Sequence, residues 1–319
     1  MTNFRISVVV PAYNSDATIC GTLDALLGQN RAADEIFVVD DFSEKPVSSL
    51  LGDRYPDVKI IRHERNMGVQ NARNSGFAEV TGDYVLFLDA DDILCPEFLD
   101  VASRLLEKNP HCGGCFGRFY KCFAGDAGPF LRDHQPQEPE VEAFSHEGGL
   151  TFYLNHTGEF IPSFSLLRKS VLDGLVRDGH LFHPELYNNQ DFHLFVRVLA
   201  TADVRYIKNP MGVYFLQPES ISRNQEKAWS SRAVAVESLI ELASDLALSK
   251  FHVAFLKKMR AIAVRRMARL LSNAGKRKEA VKTLTKELRR APSLKTFVLL
   301  MLIGLGLHQK TLTYAGREY

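Results

Sequence analysis

Three apolar runs constrain this chain more than any other feature. Ile6-Ser7-Val8-Val9-Val10, Glu35-Ile36-Phe37-Val38-Val39 and Tyr84-Val85-Leu86-Phe87-Leu88 each stop abruptly at polar residues. Runs this β-branched and this free of alternation read as strands buried on both faces of a parallel sheet. Helical spacing fills the gaps between them. After a cap at Ser15 or Asp16, Ile19, Leu23, Leu26 and Leu27 share one helical face, and Val69 to Val80 sets Ala72, Gly76 and Phe77 on another. Val58-Lys59-Ile60-Ile61 adds a short strand. This β-α-β-(β)-α-β order predicts an α/β fold, a mostly parallel sheet with helices on both faces. The C-terminal ends of parallel strands share one edge, and ligands of such sheets bind outside it. Pro11-Ala12-Tyr13-Asn14, Asp40-Asp41-Phe42-Ser43 and Asp89-Ala90-Asp91-Asp92 are therefore expected to converge on one crevice.

The last of these segments packs three carboxylates into four positions. Unpaired, they repel and desolvate one another, so the cluster needs a cation or hydrogen-bond donors. One reading is a divalent metal carrying a phosphorylated ligand. The other is an acidic strand-to-helix turn in which one Asp caps the helix beginning near Pro96. Tyr13 and Asp41 arriving at the same sheet edge favour the first.

With 319 residues and a formal net charge of +1, the chain suits a soluble globular protein of about two domains. Thr2-Asn3-Phe4-Arg5 leads straight into a strand, which argues against a secretory signal. Five cysteines, an odd number, suit a reducing compartment. Cys112 and Cys115 form a Cys-x-x-Cys near Cys122, His111 and His134. A zinc knuckle needs a second spaced pair, so in this Gly-rich, strand-like segment the thiols read as small buried hydrophobes. Glu97 to Lys108 reads as an amphipathic helix and residues 123–150 as an irregular insertion. Beyond them Phe160 to Leu167 reads as a strand, Lys169 to Leu175 and Gln190 to Leu199 as helices, and Met211 to Phe215 as a strand.

From Lys227 to Arg290 helix formers dominate, broken at Asn273-Ala274-Gly275. Between Lys250 and Lys295 stand fifteen Lys or Arg against Glu279 and Glu287. No nucleic-acid module accompanies this charge. The apolar run Phe297 to Leu307 has eleven residues, short of the ~20 that span a bilayer. A basic block followed by a short greasy segment suits an anionic membrane surface met through residues 250–307. A buried C-terminal helix, packed on the N-terminal α/β domain or on a second copy, is the other reading.

Four segments in series carry a family likeness. They are Ser7-Val8-Val9-Val10-Pro11-Ala12-Tyr13-Asn14, Glu35 through Ser43, Asn66-Met67-Gly68 with Ala72-Arg73-Asn74-Ser75-Gly76, and Gly82-Asp83-Tyr84 through Asp92. In this order the chain resembles a family-2 inverting glycosyltransferase of the GT-A fold, the group that builds bacterial polysaccharides and glycolipids. The resemblance implies a Rossmann-like, mostly parallel sheet with flanking helices, plus a C-terminal helical region. Residues 1–108 would form the nucleotide-sugar-binding half, 109–225 the acceptor-binding half with the base, and 226–319 a basic membrane-associating region. It implies donor contacts from Pro11, Ala12, Tyr13, Asn14, Asp41, Asn66, Arg73, Asp89, Ala90 and Asp92. Tyr13 would stack on the base, Asp41 accept from its ring N–H, and Asp92 face the donor sugar. Arg73 would pair with the pyrophosphate or a carboxylate, or else lie on the surface of its helix. Asp91, with Asp89, would hold Mn²⁺ or Mg²⁺.

Asn188-Asn189-Gln190-Asp191-Phe192 resembles the family's Glu-Asp motif, with Gln190 where Glu is usual. By that likeness Asp191 is the catalytic base; from local sequence it is equally a helix N-cap. Val213-Tyr214-Phe215 with Ser220-Ile221-Ser222 resembles a further family segment, without its intervening Arg. The Gln-x-x-Arg-Trp run of processive synthases is missing, which implies addition of one sugar. The partners implied are a nucleotide-sugar donor, a UDP-sugar, and a glycan or lipid-linked acceptor at the cytosolic membrane face. Two alternatives are a sugar-phosphate nucleotidyltransferase and a catalytically silent nucleotide-sugar-binding module.

Overall fold

The structure, a computed structural model, describes residues 4–123, 134–216 and 224–307. Strand β1 (Ile6–Ala12) is buried along its whole length, as is β2 (Glu35–Asp40). Between them runs α1 (Ile19–Leu27). A short α2 (Val47–Leu51) leads to β3 (Val58–Arg62), and α3 (Val69–Glu79) leads to β4 (Tyr84–Phe87). β1 pairs in parallel with β2 and β4, and β2 with β3. Pro11 lies inside β1 rather than ending it. It sits past the last β1–β4 pair, Val9 with Phe87, and is paired on the β2 side alone, where Val39 faces it. Helix α3 lies close on this sheet because residue 76 is glycine. A Cβ there would fall 2.3 Å from Val9 Cγ1 and 3.1 Å from Val39 Cγ2.

A glutamate opens the buried strand β2 because its carboxylate is fully bonded. Ser7 Oγ and Thr81 Oγ1 each donate to Glu35 at 2.6 Å, and Thr81 N donates at 3.0 Å. Burial raises its pKa, but these bonds and the Arg5 charge outweigh burial and hold it at about 2.

Beyond β4 the sheet becomes mixed. After the two-residue β5 (Ile93–Leu94) and α4 (Phe98–Lys108) come β6 (Cys112–Phe123), β7 (Val141–Phe144) and α5 (His146–Asn155). The latter two give regular structure to the end of the segment expected to be irregular; its residues 124–133 lie outside the described residues. The strand expected over 160–167 is a 3₁₀ turn, Pro162–Phe164, followed by β8 (Ser165–Arg168), since Pro162 fixes a turn-like φ and gives no ladder bond. β8 runs antiparallel between β4 and β6. Helices α6 (Lys169–Leu175) and α7 (Gln190–Thr201) precede β9 (Asp203–Leu216), which is far longer than expected. Pro210 hides it from a sequence reading, and the ladder with β6 absorbs that proline at a register shift. The strand order is β3-β2-β1-β4-β8-β6-β9-β5, with β7 on β9. Cys112, Cys115 and Cys122 are buried on β6 and in no disulfide, and burial raises the thiols of the first two.

Two compact units emerge, residues 4–185 with 194–216, and 186–193 with 224–307. The second consists mainly of α8 (Gln225–Glu241), α9 (Lys250–Asn273), α10 (Arg277–Arg290) and α11 (Leu294–Gly304). Asn224 and Ser249 cap α8 and α9 by accepting from Lys227 N and His252 N. The break between α9 and α10 falls at Gly275, whose φ of +79° suits glycine. Ala268, Leu271, Ala280, Leu284, Leu299 and Ile303 form a core among α9, α10 and α11. The buried Arg260 joins three helices through Glu237 at 2.6 Å and Glu287 at 3.3 Å. Among the described residues no helix is long and apolar enough to cross a membrane.

Candidate active site

The sheet register brings the expected segments to one edge. Leu88 N donates to Val9 O at 2.9 Å and Asp41 N to Ala12 O at 2.8 Å, so β1, β2 and β4 end nearly level. Asn14, at φ +48°, turns the chain after β1; Asn tolerates that region better than most residues. Its N–H donates to Ser43 Oγ at 3.0 Å and its Oδ1 accepts from Glu44 N at 2.9 Å, which ties the β1 loop to the β2 loop. Tyr13 beside it is 53% exposed and presents an open aromatic face. Pro11 and Ala12 belong to the buried strand.

The adjacent Asp40 and Asp41 do different work. Asp40 accepts from Ser43 N, Val47 N and Arg62, and so shapes its own loop. Burial raises its pKa, but these donors lower it further. Asp41 is also buried and accepts from Met67 N and Gly68 N, both at 2.8 Å. His63 Nδ1 lies 2.7 Å from Asp41 Oδ1, and His63 Nε2 lies 2.9 Å from Ser75 Oγ. The carboxylate thus pins the Asn66-Met67-Gly68 turn, leaving Asn66 exposed and one oxygen, Oδ2, with acceptor capacity to spare.

At the end of β4, Asp89 and Asp91 are half-buried and Ala90 is buried. Arg73 donates to Asp89 Oδ1 at 2.5 Å. Arg73 is not on the surface of its helix: it is buried, with its guanidinium 5.4 Å from the Phe182 ring centroid. Its Nε and Nη1 have no hydrogen-bond partner, so this cation keeps unused donor capacity. Asp92 is completely buried. Its carboxylate accepts from Ser163 Oγ at 2.5 Å and from Phe215 N at 3.3 Å. These two bonds tie the end of the tetrad to the 3₁₀ turn and to β9. Burial, then the charges of Asp89 and Asp91, push its pKa well above the usual carboxylate range.

Two residues of this site escape a sequence reading. Ser163 accepts from Asp89 N at 3.1 Å while donating to Asp92, so one hydroxyl ties both ends of the tetrad. Asn74 accepts from Leu181 N and Phe182 N and donates to Phe182 O at 2.8 Å, which sets Phe182 against Arg73. Asn74 belongs to the quoted Ala72-to-Gly76 segment, but its partners lie 107 and 108 residues away. Ser163→Ala should cost about 1–3 kcal/mol of stability, because Asp92 loses a donor in a dry site. An unchanged melting temperature would show that Ser163 is not what holds the two carboxylates.

Asp191 belongs to the other unit. It is half-buried in the first turn of α7, behind Gln190, and is therefore not the residue that caps the helix. Its Oδ1 accepts from Phe192 N at 2.8 Å. Helix α8 secures this turn. Asn188 N donates to Ser231 Oγ at 3.0 Å, Arg232 Nη1 donates to Asn189 Oδ1 at 2.6 Å, and the same guanidinium lies 4.2 Å from the Phe192 ring centroid. Asn189 sits at φ +62° within this brace. Ser220, Ile221 and Ser222 lie outside the described residues.

Among the described residues no group of three or more His, Cys, Asp and Glu is arranged to hold a metal ion. Asp89 and Asp91, partly exposed at a strand end, instead match the donor set of Mg²⁺ or Mn²⁺. Such ions take one or two protein carboxylates and complete their shell with ligand phosphates and water. The donor set fits a cation that arrives with a phosphorylated ligand.

Comparison with known proteins agrees with this geometry. The sequence model of glycosyl transferase family 2 matches residues 7–176, more than half of the chain. Amylovoran biosynthesis glycosyltransferase AmsB of Erwinia amylovora is 40% identical over 113 residues, 34% of this chain and 38% of that protein. An uncharacterized glycosyltransferase of Haemophilus influenzae is 34% identical over 135 residues, 42% of this chain and 45% of its own. The chain thus spans less than half the length of these two relatives. Glycosyltransferase YwdF of Bacillus subtilis, also uncharacterized, is 32% identical over 65% of this chain and 71% of its own. Among solved structures, S. aureus TarS 1-349 in complex with UDP-GlcNAc superposes with a TM-score of 0.65 at 17% identity, over 94% of this chain and 87% of that one. Mannosyltransferase PcManGT from Pyrobaculum calidifontis, in complex with GDP-Man and Mn²⁺, gives 0.56 at 19% identity, over 96% and 81%. These likenesses show a GT-A fold. With a matching family model over most of the sheet and the strand-end segments in register, the chain belongs to glycosyl transferase family 2.

Proposed function

We propose that this chain is an inverting glycosyltransferase that moves one sugar from a UDP-sugar to a hydroxyl of a cell-envelope glycan or lipid-linked acceptor. The observation that carries the reading is the level ending of β1, β2 and β4. It gathers an open Tyr13, the acceptor Asp41 and the Asp89–Arg73 pair at one sheet edge. The UDP-GlcNAc and GDP-Man bound in the neighbouring complexes support a nucleoside-diphosphate sugar as donor. That the relative AmsB is a glycosyltransferase of amylovoran biosynthesis supports a biosynthetic role.

On this reading Tyr13 stacks on the base and Asp41 Oδ2 accepts a ring N–H. Pro11, Ala12, Asn14 and Asn66 line the nucleotide side, with Ala90 beside the diphosphate. The guanidinium of Arg73, which has spare donors, faces charge that develops on the departing diphosphate. Asp91, with Asp89, would hold Mn²⁺ or Mg²⁺, which when bound acts as a Lewis acid on phosphate oxygens. Asp191 takes the acceptor hydroxyl proton as its oxygen attacks the anomeric carbon. The anomeric C–O bond to phosphate breaks on the opposite side, the electron pair leaves with the nucleotide, and the configuration inverts. Asp92, with Ser163, holds the loop. Residues 1–108 serve the donor, 109–225 the acceptor, and the basic helices of 226–319 seat the protein on the cytosolic face of an anionic membrane.

A thermal-shift panel of nucleotide-sugars, with and without Mn²⁺, tests the donor half. Stabilisation by one UDP-sugar that depends on metal is expected. No shift with any nucleotide-sugar would sink the proposal.

A further inference from the structure

Helix α11 is apolar on two opposite faces. Thr296, Leu299 and Ile303 are buried, the latter two in the core formed with α9 and α10. On the other side Leu294, Phe297, Val298, Met301, Leu302 and Leu305 follow the spacing i, i+3, i+4, i+7, i+8, i+11, and each is between 39% and 78% exposed. A surface helix ordinarily turns charged residues outward, yet Lys295 is the only charged residue of α11. A contiguous exposed apolar stripe of this length marks an interaction surface.

Charge identifies the occupant. Exposed Lys257, Lys258, Arg269, Lys278, Lys282 and Lys286 lie on α9 and α10. Of the two acids in this block, Glu287 is already paired with Arg260. Cations also border both ends of α11. Arg265 Nη1 donates to Thr296 Oγ1 at 3.3 Å near its start, and Arg277 donates to Gly304 O at its end. A second copy of this strongly basic helical unit would bring like charges together, which is costly. An anionic bilayer takes both parts, acyl chains against the stripe and headgroups against the cations. At 1.5 Å per residue α11 is about 16 Å long, too short to cross a hydrocarbon core of about 30 Å. We propose that the outer face of α11 is a lipid-contacting surface that lies in the plane of an anionic bilayer, inserting Phe297, Met301 and Leu305 below the headgroups. This deepens the membrane seating proposed above and rests on it: that reading needs only surface charge, whereas this one needs insertion.

The full chain carries one tryptophan, Trp229, so a reporter is available in Trp229→Phe combined with Phe297→Trp. With phosphatidylglycerol-rich vesicles its emission should shift to the blue and be quenched by brominated acyl chains. The triple variant Phe297→Ser, Met301→Ser, Leu305→Ser should lower vesicle partitioning about tenfold or more. Its circular dichroism and melting temperature should hold, because the altered side chains face outward. Binding that about 0.5 M salt abolishes, that the triple variant retains and that bromine does not quench would overturn insertion and leave charge-driven seating intact. No binding to any vesicle would overturn both readings. A dimer seen by light scattering, lost in the triple variant and unaccompanied by vesicle binding, would assign the stripe to a second copy and overturn the proposal.

Discussion

Asp191→Asn should lower glycosyl transfer by about 10²–10⁴-fold, the usual contribution of a positioned general base, while UDP-sugar binding stays within error of wild type. The substitution is close to isosteric. The side-chain oxygen that accepts from Phe192 N is kept, so the first turn of α7 retains its local bond and only basicity is lost. The braces from Ser231 and Arg232 on α8 do not involve the Asp191 carboxylate and should persist. A thermal-shift titration with donor then separates folding and binding from chemistry. Near-normal turnover in the variant would place the base elsewhere. Analysis of the product anomer by NMR checks inversion independently, since a retained configuration is incompatible with one base and in-line displacement.

The second large effect is expected at Gly76. A Cβ placed there would lie 2.3 Å from Val9 Cγ1, far inside contact distance, and Val9 is completely buried, so it has no space to swing aside. Alanine in place of a mid-helix glycine would by itself favour α3 by about 0.5–1 kcal/mol. Overpacking costs about 1–3 kcal/mol and occasionally more, so the clash wins. Gly76→Ala should therefore lower the melting temperature by several degrees, and Gly76→Val should compromise folding. The functional consequence follows from what else α3 carries. Pushing the helix off the sheet moves Arg73 away from Asp89 and Asn74 away from Leu181 and Phe182, so donor binding should weaken along with stability. Adding Val9→Ala to Gly76→Ala should restore part of the loss, a coupling of about 0.5–3 kcal/mol in a double-mutant cycle. If Gly76→Ala melts with wild type, α3 shifts at little cost and the close approach is not what positions Arg73.

Much of the candidate site at the sheet edge was legible because its logic is local. Apolar runs announce buried strands, parallel strands share their C-terminal edge, and the residues that follow each run must appear there. Tyr13, Asp41 and the Asp89 to Asp92 cluster needed only that topological rule. The bonding that sets their chemistry was not legible. Ser163 meets Asp92 from 71 residues away and Phe215 meets it from 123, and no periodicity encodes such partners. For the same reason two neighbouring aspartates, Asp40 and Asp41, looked alike, and only the fold turned one into its own loop and the other onto the Asn66-to-Gly68 turn. The end of the segment from 123 to 150 carried Gly, Pro and charge, so its strand β7 became visible only through pairing with β9.

The C-terminal region divides in the same way. Its helical content, its basic charge and its break at Gly275 are properties of residue type and spacing, and the sequence alone determined them. That α8 braces the turn bearing Asp191, and that α11 buries one apolar face while exposing another, were decided by tertiary structure. An apolar run states that surface must leave water but not what will cover it. Packing answers that question, and for the outer face of α11 the packing among the described residues leaves it open.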